Sequence, residues 1–474
     1  MLFNSVEYFV FFGVVALLHF VLPQRWRWIL LLVASYAFYM SWNPAYIVLI
    51  GGSTLVDYFV GLRLGKTQIR SQRRALLLCS LVANLGLLFT FKYWNFFQSS
   101  FVEVAGWLGV SVQPSVLHVL LPVGISFYTF QTLSYTIDVY RERIPPERHL
   151  GRFALFVSFF PQLVAGPIER ASRLLPQIEL EKRFDRERVS SGLQLILWGL
   201  FKKVVIADRL AIYVDQVYGD VGSQDATAYL LATYAFAFQI YCDFSGYTDM
   251  ALGSAKVLGF DLMQNFRRPY FATTLQDFWR RWHISLSTWL RDYLYIPLGG
   301  NRLGLPRTYA NLLITMLLGG LWHGAAWNFV IWGGIHGLLL AGSRYSLPWR
   351  DSLYANFRVP GWLRDGFRML ITFHLVCFAW VFFRASSASD AFQVLWGLGG
   401  TWGPVQVDWS VMAPAVLGVG LLLAVQVGQE RWGSLREQIR NWPTPIRWAL
   451  WYTLALLIFM FGAGPGHRFI YFQF

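Results

Sequence analysis

The stretch Leu2–Pro23 reads LFNSVEYFVFFGVVALLHFVLP, and whether it is cleaved or kept decides the class of fold. It has the length of a secretory leader. Yet it lacks a basic start, carries Glu7, and runs into Gln24-Arg25 where a leader would place a small-residue cleavage site. It reads as a retained membrane span. Crossing the hydrocarbon layer takes roughly 20 mostly apolar residues, and the chain offers about ten such stretches or more.

Composition agrees. Of 474 residues, 55% are hydrophobic, 18% are aromatic and only 14% are charged. Soluble domains carry about 25% charged residues, and aromatic rings favour membrane–water interfaces. The net charge of +14 raises nucleic-acid binding as an option. However, the basic residues fall in short loops between apolar runs, as the positive-inside rule requires, and form no single patch. Cys79, Cys242 and Cys377 are far apart and read as small apolar core residues. They provide neither a disulfide framework nor a zinc pattern, and no metal is expected.

Loop charges set the orientation. The first span ends at Pro23, with Arg25 and Arg27 next. A second covers Trp28 to Met40, and Ser41-Trp42-Asn43-Pro44 breaks the helix. A third runs to about Leu62, before Arg63, Lys66, Arg70, Arg73 and Arg74. Both basic loops follow odd-numbered spans, so they share one side. That side is the cytoplasm, which puts the N-terminus in the periplasm. Spans at Ala75–Phe91 and Val116–Val139 then return the chain to a loop with Arg141, Arg143, Arg148 and Arg152, consistent with this assignment.

The apolar piece Phe153–Ile168 is short, contains Pro161, Gly166 and Pro167, and has charge-rich segments on both sides. It reads as re-entrant, because irregular backbone at membrane depth is tolerated only inside protein or beside water. Further apolar stretches cover Gly192–Val217, Ala228–Leu258, Tyr309–Leu321, Ala325–Leu340, Phe367–Phe383, Val411–Val427 and Trp448–Phe461. The expected fold is all-α, a polytopic integral membrane protein of about 10–12 transmembrane helices with re-entrant and interfacial helices. A single membrane-embedded domain over 1–474, with a catalytic core near 120–345, leaves no loop long enough for a soluble domain.

The eight histidines are not equivalent. His149 reads as solvated in a cytoplasmic loop. His19, His118, His374 and His467 read as hydrogen-bonded structural residues. His323 lies in Gly319-Gly-Leu-Trp-His-Gly324 between two apolar stretches, where an ionisable group is expensive. The glycines let a helix or ligand approach closely, and histidine is the usual base for a hydroxyl nucleophile. Position alone leaves a structural role equally open.

His283 lies in Asp277-Phe-Trp-Arg-Arg-Trp-His-Ile-Ser-Leu-Ser287, too charged to face lipid. Arg280, Arg281 and Arg291 can pair with Asp277 and Asp292 or with donor phosphates. The alternative is an interfacial amphipathic helix with snorkelling arginines. On one continuous helix, His336 would stand about 20 Å and roughly 220° from His323, so it reads as a partner of another helix. Gln239-Ile-Tyr-Cys-Asp-Phe-Ser-Gly-Tyr-Thr-Asp249 puts Asp243 and Asp249 in an apolar run. These carboxylates can orient a histidine, bind substrate or neutralise an arginine, and Gly246 reads as a possible helix break.

With Leu121-Pro-Val-Gly-Ile-Ser-Phe-Tyr-Thr-Phe-Gln131, Phe160-Pro-Gln-Leu-Val-Ala-Gly-Pro-Ile-Glu-Arg170, Val381-Phe-Phe-Arg-Ala385 and the terminal Phe-Ile-Tyr-Phe-Gln-Phe, these motifs occur in order over nearly the whole chain. The set resembles the membrane-bound O-acyltransferase family, bacterial branch, typified by the membrane subunit of alginate O-acetylation. The resemblance implies helices around a central funnel, His323 as the catalytic histidine and His283 as its upstream helper. Arg280, Arg281, Arg291, Asp243, Asp249, Trp322 and Gln131 are candidates for donor or substrate contact.

The implied activity moves an acetyl group from a cytoplasmic thioester, acetyl-CoA, across a bacterial inner membrane. The expected acceptor is a cell-envelope or extracellular polysaccharide such as alginate, reached through periplasmic acetyltransferase partners. No bound cofactor and no nucleic acid are expected. The alternatives are D-alanyl transfer to teichoic acid, peptidoglycan O-acetylation, or a transporter or flippase of an acylated intermediate.

Overall fold

The structure, a computed structural model, describes residues 1–117, 121–164, 166–463 and 469–470, without the side chain of Arg436. His118, His467 and the last four residues of the terminal motif lie outside the described residues. Among those described, every regular element is a helix. The chain divides into two compact units, one of Met1–Leu193 and Ala251–Met263, the other of Gln194–Met250 and Gln264–Phe474.

The first nine helices are α1 (Val6–Val21), α2 (Gln24–Met40), α3 (Tyr46–Leu64), α4 (Arg70–Leu88), α5 (Trp94–Trp107), α6 (Ile125–Tyr140), α7 (Leu150–Ser158), α8 (Phe160–Leu163) and α9 (Ala171–Glu179). The fourth span does not stop near Phe91. A π-helical turn, Phe89–Tyr93, joins α4 to α5 in one rod of 38 residues. No proline or glycine interrupts Tyr93–Ala105, so the polar residues there ride on helix instead of ending it. The next helix starts at Ile125, not Val116, after Gly124 turns through the left-handed region at φ 77°. It is almost wholly buried.

Asp57 in α3 lies inside an apolar stretch, is fully buried and organises three helices. It accepts from Ser80, from Asn84 Nδ2 at 2.8 Å and from Thr136 Oγ1 at 2.9 Å, which satisfies a carboxylate that lipid could not. The piece read as re-entrant forms α7, nine residues long, which is about 14 Å and too short to cross. At its end, Gln131 and Gln162 both donate to the Phe156 carbonyl, and the Phe160 N–H donates to Ser35 Oγ at 3.0 Å. Protein groups thus satisfy the irregular backbone. His149 is exposed, as expected, and its Nδ1 in addition accepts the Arg152 N–H at 3.2 Å and caps α7.

Beyond these come α10 (Arg186–Phe201), a π-helical stretch Lys202–Ala207, α11 (Asp208–Gly219), α12 (Ala226–Val257), α13 (Leu275–Arg281) and α14 (Ile284–Leu290). Then follow α15 (Leu305–His323), α16 (Trp327–Asn356), α17 (Gly361–Arg384), α18 (Ala388–Gly397), α19 (Trp409–Trp432), α20 (Leu435–Arg440) and α21 (Thr444–Phe461). Gly246 does not break its helix, since α12 is continuous through it. Its role is close approach: a Cβ at Gly246 would come within 2.7 Å of the Gly199 carbonyl oxygen, and one at Gly199 within 2.5 Å of that of Gly246.

Five described helices are long and apolar enough to cross a bilayer: Tyr46–Leu64, Arg70–Trp107, Gly361–Arg384, Trp409–Trp432 and Thr444–Phe461. Val6–Val21 is apolar but shorter. Several other expected spans are short or carry the buried polar groups described below. Cys242 and Cys377 are buried as expected, whereas Cys79 is exposed on α4.

Candidate active site

Two helix breaks place the central side chains. The first is at His283, between α13 and α14, in the left-handed region at φ 43° and ψ 54°. This conformation is unfavourable for a residue with a Cβ. Asn265 holds it on one side of the turn. Its carbonyl accepts from Ile284 N at 2.9 Å, and its Oδ1 accepts from Ser285 Oγ at 2.6 Å and Ser285 N at 3.3 Å. A further bond, Arg267 N to Arg281 O at 2.9 Å, ties down the residues before it. His283 is therefore set on a fixed turn and does not lie on an interfacial amphipathic helix.

The second break follows His323, the last residue of α15. Gly324 is extended at φ −157°, and α16 begins three residues later. The two helices return against each other so closely that a Cβ at Gly320 would lie 2.2 Å from the Phe329 carbonyl oxygen, and one at Gly333 2.3 Å from that of Met316. The glycine environment of His323 therefore admits a neighbouring helix. His323 and His336 belong to different helices, which corrects the single-helix spacing.

The imidazole of His323 is 4% exposed and meets its neighbours edge to face: Trp332 at 5.0 Å, Trp322 at 5.1 Å and Phe383 at 5.4 Å between ring centroids. The ring of His283 stands 6.3 Å away, against Phe244 at 4.7 Å and Trp322 at 5.9 Å. Asn328 Nδ2 donates to the carbonyls of Phe382 at 3.3 Å and Ala385 at 2.9 Å, fixing the segment that presents Phe383. Such walls hold an imidazole by shape while excluding water.

His336 faces Trp332 from elsewhere, 4.8 Å away, and packs on Trp279 at 5.1 Å and Phe278 at 6.3 Å, both on α13. It is a partner of another helix, as expected. His374 is hydrogen-bonded to Tyr234 Oη at 2.9 Å and to the Leu370 carbonyl at 2.8 Å, as a structural histidine should be.

Asp243, Asp249, Arg281 and Arg291 find protein partners. Asp243 and Asp249 meet lysines that the sequence reading passed over, not the arginines of the 266–292 segment. Lys203 Nζ is 2.6 Å from both Asp243 and Asp208, and Lys202 Nζ is 2.8 Å from Asp249. Asp243 also accepts the Ile470 N–H at 2.7 Å. Arg281 pairs with Asp277 at 3.0 Å and with Glu430 at 3.6 Å, and Glu430 pairs with Arg268 at 2.8 Å. Arg291 pairs with its neighbour Asp292 at 2.7 Å, and Arg280 is exposed. Gln131 belongs to the other unit, where it donates to Phe156. Among the described residues no cluster of three or more His, Cys, Asp and Glu side chains could hold a metal ion.

Two buried imidazoles within one aromatic enclosure can take up and return a proton beside a reacting hydroxyl. The site lies on a chain with five described helices long and apolar enough to cross a membrane, the class of an integral membrane protein. The family profile described as membrane-bound O-acyltransferase matches residues 147–388. The chain belongs to the membrane-bound O-acyltransferase family and is an O-acyltransferase. It is similar to the probable alginate O-acetylase of Pseudomonas aeruginosa, 43% identical over 403 residues that cover 84% of this chain and 75% of that protein. It is also similar to the peptidoglycan O-acetyltransferase of Helicobacter pylori, 40% identical over 80% of this chain and 74% of that one. The teichoic acid D-alanyltransferase of Bacillus subtilis is more distant, 27% identical over 55% of this chain and 68% of that one.

Proposed function

We propose that the protein moves an acetyl group from acetyl-CoA on the cytoplasmic side towards a polysaccharide such as alginate, at a bacterial inner membrane with its N-terminus in the periplasm. The juxtaposition of His283 and His323, both buried, carries this reading. The acceptor hydroxyl oxygen attacks the thioester carbonyl while His323 takes its proton. The tetrahedral intermediate collapses with cleavage of the C–S bond, and the imidazolium returns the proton to the departing thiolate. His283 assists by hydrogen bonding to donor or acceptor. Arg280, exposed, remains available to donor phosphates, and periplasmic acetyltransferase partners complete the transfer.

Arg25, Arg27 and Arg152, from two basic segments that the charge pattern assigns to the cytoplasm, line one cavity, which supports their common side. The similarity to a peptidoglycan O-acetyltransferase favours a second acceptor class, the glycan of the cell wall. Both are read in one experiment. His323→Ala should abolish O-acetyl groups on exopolysaccharide, or on muramic acid if the wall is the acceptor, at normal protein abundance. Unchanged acetylation of both polymers would rule the assignment out.

A further inference from the structure

The strongest feature outside the site is a cavity of about 240 Å³ within the first unit. Its walls bring together His19 from the last turn of α1, Arg25 and Arg27 from the first turn of α2, Arg152 from α7, and Glu179 and Lys182 from the end of α9 and beyond. Four cations thus face one carboxylate, and Glu179 is already bonded to Arg152. The Leu22 and Lys182 carbonyls orient Arg27 without cancelling its charge.

Lys182 is 8% exposed, with its ammonium 4.9 Å over the Phe260 ring. Burial, then the nearby Arg188, holds that ammonium below the usual lysine range, and Asp261 offsets this only in part. His19 is 1% exposed, and besides a backbone hydrogen bond to Leu258 it faces the charges of Arg27, Arg188 and Lys182. Buried polar groups in native proteins are normally satisfied, and buried charges are normally paired.

We propose that this cavity binds a phosphate ester. An anionic oxygen there would pair with the buried Lys182 ammonium and meet the arginine forks, whose geometry suits phosphate. The volume falls below the roughly 300–1,000 Å³ of pockets that enclose a whole drug-sized ligand, so the fit is to a head group. The ester can belong to an anionic phospholipid of the adjoining leaflet or to the nucleotide end of a coenzyme. Only the second source rests on the acetyl-CoA reading.

The test uses the full chain in nanodiscs of phosphatidylcholine, with and without phosphatidylglycerol, and separately with added coenzyme A. Native mass spectrometry reads retained lipid, and calorimetry reads coenzyme binding. Arg25→Gln/Lys182→Gln should weaken one of the two ligands by about tenfold or more, since charge-assisted bonds are lost. Arg25→Glu, at an exposed position, should do the same without disturbing the interior. Arg358→Gln, a basic residue that does not line the cavity, should change neither. Loss of phosphatidylglycerol assigns the lipid, and loss of coenzyme A assigns the nucleotide. Retention of both ligands by both cavity variants, or binding of neither by the native chain, overturns the proposal.

Discussion

The imidazoles of His283 and His323 stand 6.3 Å apart with their planes at 66°, one on a left-handed turn and the other at the end of a helix. Because backbone fixes each ring separately, the two can be perturbed separately. Asparagine tolerates the left-handed region, whereas a β-branched residue there is an outlier. His283→Asn should therefore keep the melting temperature in detergent and lose acetyl transfer. His283→Val should also lose stability, by about 1–2 kcal/mol. Equal melting of the two variants would show that the turn carries no strain.

His336 shares Trp332 with His323 but is enclosed by aromatic rings, and neither of its nitrogens makes a hydrogen bond of good geometry. Phenylalanine is close to it in size and needs no partner. We expect His336→Phe to retain most acetyl transfer and His323→Phe to retain almost none. Comparable loss in both would mean that His336 takes part in the chemistry.

The buried charge cluster makes a different prediction. Lys203 stands between Asp208 and Asp243, and all three are buried. Removing the cation leaves two carboxylates without compensation, which typically costs roughly 3–5 kcal/mol. Lys203→Met should lower the melting temperature sharply, and adding Asp208→Asn and Asp243→Asn should restore much of the loss. A single variant as stable as the native chain would contradict the pairing.

Much of this architecture was legible. The apolar runs located most helices, and the motifs singled out the two histidines that the fold brings together. What stayed hidden depends on contacts distant in sequence. Asn265 clamps the turn of His283 from about twenty residues upstream, and nothing in its neighbours marks it. Asp57, Lys202 and Lys203 were absorbed into apolar stretches, because a polar group paired inside the protein leaves the local pattern intact. Gly246 was misread as a break because glycine serves helix breaks and close helix approach alike, and only the facing Gly199 distinguishes them.

Glu169 gives a pH signature. It is fully buried, and burial pushes its carboxyl up to about 7 although the Met263 N–H donates to it. Between the ordinary value of 4.5 and that of the folded state, the folded chain keeps a proton that the unfolded chain has lost. This contribution is complete below the lower value and disappears as pH rises through the upper one. Melting temperature should fall from about pH 5 to pH 8 more steeply in the native chain than in Glu169→Gln. Parallel profiles would contradict it.

Thioester cleavage at His323 is measured most directly as release of labelled acetyl from acetyl-CoA by the purified protein in nanodiscs with an acceptor polysaccharide. The native chain should consume the thioester and acylate the polymer. His323→Ala, folded to the same extent, should do so about 10²–10⁴-fold more slowly, the usual contribution of a positioned general base. An intact thioester in the presence of native protein, as a transporter would leave it, or equal rates for the two proteins, would contradict the account.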